Sequence, residues 1–256
     1  IGGDQLETFE DNIAKFCGVN YASALNSGTD ALTFALMLSG VKKNDEVITP
    51  PNSFIASTAS IVHVGAKPVF VDVLPDQNLD PSKIEDAITK NTKAIMPVHL
   101  TGRVCDMDPI MDIAKQHNLK VVEDCAEALG AEYKGKKVGL IGDVGCFSFF
   151  ANKVITTGEG GMCVSQNNFL VERMLLLRDH GMSKEKRYWH LEPGFNYRMT
   201  NLQAAIGVAQ MENLDNFLKQ RVRVVACYNE HLSKIDGILT PPNFSWAKNI
   251  YWLYSI

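Results

Sequence analysis

The feature that most restricts the fold is a regular alternation of short apolar runs with longer stretches of helical spacing, sustained over the first half of the chain. Leu6, Phe9, Ile13 and Phe16 recur at helical intervals and Gly18 follows as a C-terminal cap. Tyr21–Leu25 is strand-like, residues 26–29 form a turn, and Ala31, Leu32, Ala35, Leu36 and Leu38 mark a helix that Gly40 ends. The same reading gives strands at 46–49, 68–73, 93–98 and 120–123. Between them lie helices at 54–64 and 108–117 and a helix start at Asp80-Pro81, with Asp as cap and Pro in first position. Parallel strands need long crossovers, and a helix is the crossover that satisfies its own backbone. An α/β fold with a mostly parallel sheet, covered by helices on both faces, is therefore expected.

From Asp143 the rhythm shortens to strands at 145–150 and 161–164 around the loop Thr156-Thr157-Gly158-Glu159-Gly160. A helix at 169–178 leads into the charged loop 179–190, and 201–234 reads as one long helix, straight or bent. Asp236-Gly237 and Pro241-Pro242 then punctuate the chain. The expected organisation is a large domain over 1–235, including that long connecting helix, and the beginning of a small C-terminal domain over 236–256. The chain opens on Ile1-Gly2-Gly3 and stops inside the strand-like Leu253-Tyr254-Ser255-Ile256, so it reads as a fragment of a longer protein.

Composition narrows the function classes. A net charge of -4 gives no broad footprint for a nucleic-acid backbone, and no apolar run is long enough to span a bilayer. Neither a nucleic-acid nor a membrane partner is expected. The six cysteines are scattered without a C-x-x-C pair, which fits a reducing cytoplasm better than a disulfide framework. The histidines lack metal-ligand spacing, so no metal site is expected, and no G-x-S-x-G elbow is present.

Three positions can carry chemistry. Ser27, Gly28 and Thr29 lie between a strand and a helix, where free N–H groups and the helix dipole favour an anion such as phosphate; a plain helix cap with a turn glycine would look the same. Asp124 ends the apolar run Val121-Val122-Glu123, where ligands bind in open parallel sheets, although it could equally cap a helix; Glu127 would share its face if a helical turn began there. Lys153 follows the apolar strand Cys146-Phe147-Ser148-Phe149-Phe150, and partial desolvation there would make its amine nucleophilic. By contrast, Lys134-Gly135-Lys136-Lys137 reads as an exposed hairpin turn. Tyr188 and Trp189, among Lys184, Lys186 and Arg187, read as a solvated loop that could also contact a nucleotide diphosphate.

An anion cradle, a strand-end carboxylate and a desolvated amine are the three parts a pyridoxal phosphate enzyme needs. The chain resembles the DegT/StrS-type nucleotide-sugar aminotransferases through several motifs in one order. These are Ser27-Gly28-Thr29-Asp30-Ala31-Leu32, Asp45-Glu46-Val47-Ile48-Thr49-Pro50, Pro68-Val69-Phe70-Val71-Asp72-Val73, Pro97-Val98-His99-Leu100, Glu123-Asp124-Cys125-Ala126-Glu127-Ala128-Leu129-Gly130, Phe147-Ser148-Phe149-Phe150 to Lys153, and Gly194-Phe195-Asn196-Tyr197-Arg198-Met199.

That resemblance implies the aspartate aminotransferase-like fold, that of fold type I pyridoxal phosphate enzymes, in a homodimer with sites at the subunit interface. It implies Lys153 as the Schiff-base lysine and catalytic base, and Asp124 as partner of the pyridine nitrogen. Gly28 and Thr29 with Ser148, beside Ser27, would hold the phosphate, Phe54 would stack on the ring, and Asn196 would reach the cofactor of the other subunit. Glu127 stands where many members carry Gln or His, and with the motif from Ser148 to Gly161 it resembles the GDP-perosamine synthase subgroup. The implied reaction is a ping-pong transfer from L-glutamate to a nucleotide-linked 4-keto-6-deoxy sugar, with pyridoxamine phosphate between the half-reactions. The alternatives are a sugar 3-dehydratase, whose relatives replace the lysine with His, an aminotransferase for a 3-keto position or another nucleotide sugar, and a non-catalytic regulator that binds the cofactor. A Rossmann oxidoreductase would need a G-x-G-x-x-G that Ser27-Gly28-Thr29 does not supply.

Overall fold

The computed structural model describes residues 3–256. Helix α1 (Asp4–Cys17) leads to β1 (Tyr21–Leu25) and α2 (Gly28–Leu38), followed by β2 (Glu46–Thr49), α3 (Ile55–His63) and β3 (Lys67–Phe70). Next come β4 (Thr92–Ile95), α4 (Met107–Gln116), β5 (Lys120–Asp124), the hairpin β6 (Glu132–Tyr133) and β7 (Lys136–Lys137), and the pair β8 (Val144–Ser148) and β9 (Gly161–Ser165). Helices α5 (Asn168–Leu177), α6 (Asn201–Met211) and α7 (Leu214–Leu232) precede a short β10 (Ala247–Lys248).

The main sheet has the order β1-β9-β8-β5-β4-β2-β3. Strand β9 runs antiparallel to both β1 and β8, whereas the pairs β8–β5, β5–β4, β4–β2 and β2–β3 are parallel. The period of two explains how this sheet is buried on both sides. Ile48, Ile95, Val121, Phe147, Met162 and Val164 face one apolar cluster. Their neighbours Val47, Ala94, Val122, Cys146 and Cys163 face another. Helix α1 packs into the first cluster through Phe9, whose ring meets Phe149 at 5.0 Å, and α2 fills the second through Ala31, Leu32, Phe34, Ala35 and Leu36. Burying a side chain such as Phe9 or Phe34 contributes about 1.5–3 kcal/mol, and both are fully buried.

Three expectations need correction. The stretch 201–234 is two helices: the chain breaks between α6 and α7 at Asn213, whose φ of -108° and ψ of 2° leave the helical region, although no Gly or Pro marks the place. The Asp80-Pro81 start yields only two 3-10 turns, Pro81–Lys83 and Glu85–Ala87, with the Asp80 side chain accepting from the Ser82 N–H. Strand ends also come early: the edge strand β3 stops at Phe70, short of residue 73, β4 at Ile95, short of 98, and β8 at Ser148, short of 150. The basic hairpin between β6 and β7 is as expected, with Lys134 at φ 49° and Gly135 at φ 80° supplying the left-handed turn. Beyond residue 235, β10 pairs with β6, and Ile250 is buried in the first cluster. Among the described residues, no helix is long and apolar enough to cross a membrane.

Candidate active site

The carboxyl ends of the parallel strands open onto a cavity of about 270 Å³ lined by Ser27, Gly28, Thr29, Phe54, Asp124, Glu127, Ser148 and Lys153 among others. Thus, of the nine sequence-selected residues, only Asn196 lies elsewhere. Two larger clefts, of about 730 Å³ between α7 and 251–256 and about 550 Å³ beside α1, contain neither the buried carboxylates nor the lysine. Asn196 lines the second of these with Arg198 and Lys184, and the Arg198 guanidinium lies 3.0 Å from Asp179.

At one end of the cavity, α2 begins. The Ser27 hydroxyl accepts from the Asp30 N–H at 3.1 Å as a helix cap, and the residue also lines the cavity. The N–H groups of Gly28 and Thr29, in the first turn, have no acceptor within the helix. A Cβ on Gly28 would lie 2.7 Å from Ser148 Cβ and 3.0 Å from Ser148 Oγ. Only glycine lets the helix start approach the end of β8 this closely, which sets the N-terminal N–H groups of α2 beside Ser148 on the cavity wall.

Asp124 ends β5 and is 4% exposed. Its Oδ2 accepts from Ser57 Oγ at 2.7 Å and its Oδ1 from the Ala126 N–H at 3.1 Å. No helix follows; 125–130 are turns, so the expected helical face shared with Glu127 does not form, and Asp124 closes a side-chain turn instead. Burial pushes the Asp124 carboxyl up, against the hydrogen bonds from Ser57 and Ala126 and the charge of Lys153. A raised, buried carboxyl facing a cavity is one whose ionised form gains from a cationic guest.

Lys153 sits in the turn after β8, where its N–H donates to the Phe150 carbonyl at 3.0 Å. Its Nζ lies 3.6 Å from Glu127 Oε1 and 3.8 Å from the centroid of the Trp252 indole. Burial lowers the lysine, with Glu127 and Asp124 opposing, while burial raises Glu127, with Lys153 and the Thr101 N–H opposing. Both partners are thus moved toward their uncharged forms, so the amine reaches its nucleophilic state at a lower pH than an exposed lysine. The other oxygen of Glu127 accepts from the N–H of Thr101 at 2.7 Å, and Thr101 holds a left-handed φ of 55°. Phe54 stands at the mouth, 68% exposed, immediately before α3.

Behind the site, Glu123 is fully buried and accepts from His99 Nε2 and the N–H groups of Gly139, Ile141 and Gly142 at 2.6–3.1 Å. His99 Nδ1 accepts from the Cys105 N–H, which leaves Nε2 as the protonated nitrogen. His99, Glu123 and Cys125 have donor atoms within 4.8 Å of one another, a cluster the spacing did not suggest. Its imidazole and carboxylate are already engaged in this network, which anchors the strand carrying Asp124. Sequence reasoning also missed Ser57, Thr101 and Trp252, each far along the chain from its partner. A buried serine on α3 was visible as a polar interruption of an apolar stretch, but nothing in the sequence assigned it to Asp124.

The cradle, the raised carboxyl and the lowered amine suit a phosphorylated pyridine aldehyde, and the similarities to known proteins agree. The chain is 50% identical over 256 residues to a GDP-perosamine synthase of Caulobacter vibrioides, covering 99% of this chain and 69% of that one. Its fold matches S. venezuelae DesV with a TM-score of 0.95 at 37% identity, over 99% of this chain and 68% of that one. It also matches the PLP form of a sugar aminotransferase, Spr1654, from Streptococcus pneumoniae, with a TM-score of 0.93 at 30% identity over 99% and 70% of the two chains. These neighbours share the aspartate aminotransferase-like fold expected from the motifs. The profile of the DegT/DnrJ/EryC1/StrS aminotransferases matches residues 1–256 without interruption, and the chain belongs to that family.

Proposed function

We propose that the protein transfers an amino group from L-glutamate to the C4 keto carbon of a GDP-linked 4-keto-6-deoxy sugar, in a ping-pong cycle with pyridoxal 5'-phosphate as cofactor. The observation that carries this reading is the convergence of Asp124 and Lys153, both buried and both shifted toward neutrality, on one cavity beside the Gly28 cradle. Similarity to a GDP-perosamine synthase at 50% identity supports the sugar. Lys153, where dehydratase relatives carry His, favours transamination over the 3-dehydratase, and nothing favours a 3-keto substrate or a silent regulator.

Pyridoxal phosphate supplies an aldehyde that captures amines and a ring that takes up electron density from a carbon losing its proton. The protein does the rest. The N–H groups of Gly28 and Thr29 and the Ser148 hydroxyl would hold the phosphate, and Phe54 would stack on the ring. Asp124, positioned by Ser57 and Ala126, would place a negative charge at the ring nitrogen and favour its protonated form. Lys153 would hold the aldehyde in the resting enzyme, and once the amino donor had taken its place its Nζ would be the base that accepts and returns the substrate's proton. Glu127, 3.6 Å from that amine, stabilises its protonated state. We further propose a homodimer in which Asn196, on the cleft beside α1, completes the partner subunit's site, with 1–235 as the large domain and 236–256 the start of a small one.

The direct test is borohydride reduction of the full-length protein with pyridoxal phosphate, followed by peptide mass analysis. The cofactor mass should appear on the peptide containing Lys153 and should vanish in Lys153→Ala along with turnover. Cofactor fixed to another lysine, or full activity in the variant, would overturn the assignment.

A further inference from the structure

One contact of the cavity comes from a residue outside the motifs that carry the family resemblance. Trp252 lies 99 positions beyond Lys153, in the irregular segment after β10, yet its indole face sits 3.8 Å from the lysine Nζ. The same indole donates through Nε1 to the carbonyl of Asn152 at 2.7 Å, gripping the turn that carries the lysine.

Several constraints build this placement. The Ile250 N–H donates to the Gly102 carbonyl at 3.0 Å, and a Cβ on Gly102, at φ 84°, would lie 2.8 Å from the Trp252 nitrogen and 2.9 Å from that of Tyr251. Tyr251 itself holds a φ of 51°, a left-handed conformation that bulky residues adopt at a cost. The Trp252 carbonyl accepts from Arg221 on α7 at 2.9 Å. Strain at one residue, a glycine contact at the next layer and bonds at both ends of Trp252 all act to aim one aromatic face at one amine.

We propose that Trp252 is a positioning residue for Lys153: its indole roofs the amine, shields it from water and holds the ammonium against Glu127 and Asp124. This rests on the reading of Lys153 as the cofactor-bearing lysine. The charged and titratable groups around the amine are Asp124 at the end of β5 and Glu127 in the turn after it, with Glu159 lining the same cavity from the loop before β9. The indole quadrupole adds to their attraction for the cationic form, without the hydration that an open face would provide. Removing the aromatic face while keeping an apolar side chain over the amine should therefore weaken the ammonium, whereas opening the site fully to water would partly compensate. Leucine, not alanine, is the informative replacement.

The test is the rate of acylation of Lys153 by an amine-directed reagent as a function of pH, read by peptide mass in the full-length protein before and after addition of pyridoxal phosphate. Trp252→Leu should lower the midpoint of Lys153 reactivity by about one pH unit, and Trp252→Phe, which keeps an aromatic face, by less than half as much. An unchanged or raised midpoint in Trp252→Leu, or equal shifts in both variants, would overturn the proposal. The cofactor arm separates the two readings. If pyridoxal phosphate fails to protect Lys153 in the parent protein, the lysine assignment fails; if it protects but the two variants match the parent, only the role of Trp252 fails.

Discussion

Replacing Asp124 with Asn should separate folding from cofactor binding, and the direction of each effect follows from its two hydrogen bonds. In the parent, Ser57 Oγ donates to Oδ2 at 2.7 Å and the Ala126 N–H to Oδ1 at 3.1 Å, while Ser57 Oγ also lies 2.6 Å from Ser53 Oγ. An Asn carbonyl oxygen can keep the Ala126 bond, and its amide can donate to Ser57, whose hydroxyl turns to donate to Ser53. Both bonds of the carboxylate thus have a counterpart in the amide, and its second N–H is left to the cavity that Asp124 lines. An acid whose folded pKa is raised costs stability as the pH climbs from its unfolded value, in full above the raised one; the amide removes this penalty. The cofactor-free variant should thus unfold at pH 7 within about 1 kcal/mol of the parent, or slightly above it. Binding should suffer, because a cationic ring nitrogen loses a charge-assisted partner worth about 1.5–3 kcal/mol, or about ten- to a hundredfold in Kd. Urea unfolding of the cofactor-free protein and an absorbance titration with pyridoxal phosphate measure the two quantities. Cofactor affinity within twofold of the parent, or a loss of more than about 2 kcal/mol in stability, would refute the role given to Asp124.

Other perturbations test the supports. Glu123→Gln leaves an amide facing backbone N–H groups that the carboxylate accepted, and should cost on the order of 3 kcal/mol in urea unfolding. Burial raises Glu123, but the bonds from His99, Gly142 and Gly139 win and its pKa is lowered. Its stabilisation is therefore present above the unfolded carboxyl range and fades as pH falls through the lower folded value, a loss the Gln variant should not show in acid unfolding. Gly28→Ala places a methyl 2.7 Å from Ser148 Cβ, so phosphate-dependent cofactor affinity should drop at least tenfold by titration while pyridoxal without its phosphate binds little differently. Glu127→Gln removes the carboxylate 3.6 Å from Lys153, and the pH midpoint of Lys153 acylation should fall by about one unit or more.

Much of this architecture was legible because local rules and the global fold agree. Tyr21–Leu25 and Glu46–Thr49 stand in the sheet where the apolar runs placed them, and Gly18 caps α1 at φ 76°. The break at Asn213 was not legible: apolar residues keep helical spacing across it, and α6 is set by its packing on α1, where Gly207 meets the Phe9 ring. Strand order and the antiparallel β9 likewise depend on pairings between distant residues. In the site, Ser27, Gly28, Asp124 and Lys153 lie at junctions of strand and helix or turn, which sequence periodicity locates. Ser57, Thr101 and Trp252 reach their partners across 67, 26 and 100 positions of chain, separations at which no local pattern operates.

The most direct measurement is the absorbance of the full-length protein loaded with pyridoxal phosphate, first alone, then with L-glutamate, then with GDP-4-keto-6-deoxymannose. A lysine-dependent band that glutamate converts to the pyridoxamine phosphate spectrum, and that the sugar restores, is the predicted result and contains both half-reactions. A band that glutamate discharges but this sugar leaves discharged would contradict the sugar assignment, and a loaded spectrum unchanged by Lys153→Ala would contradict the site itself.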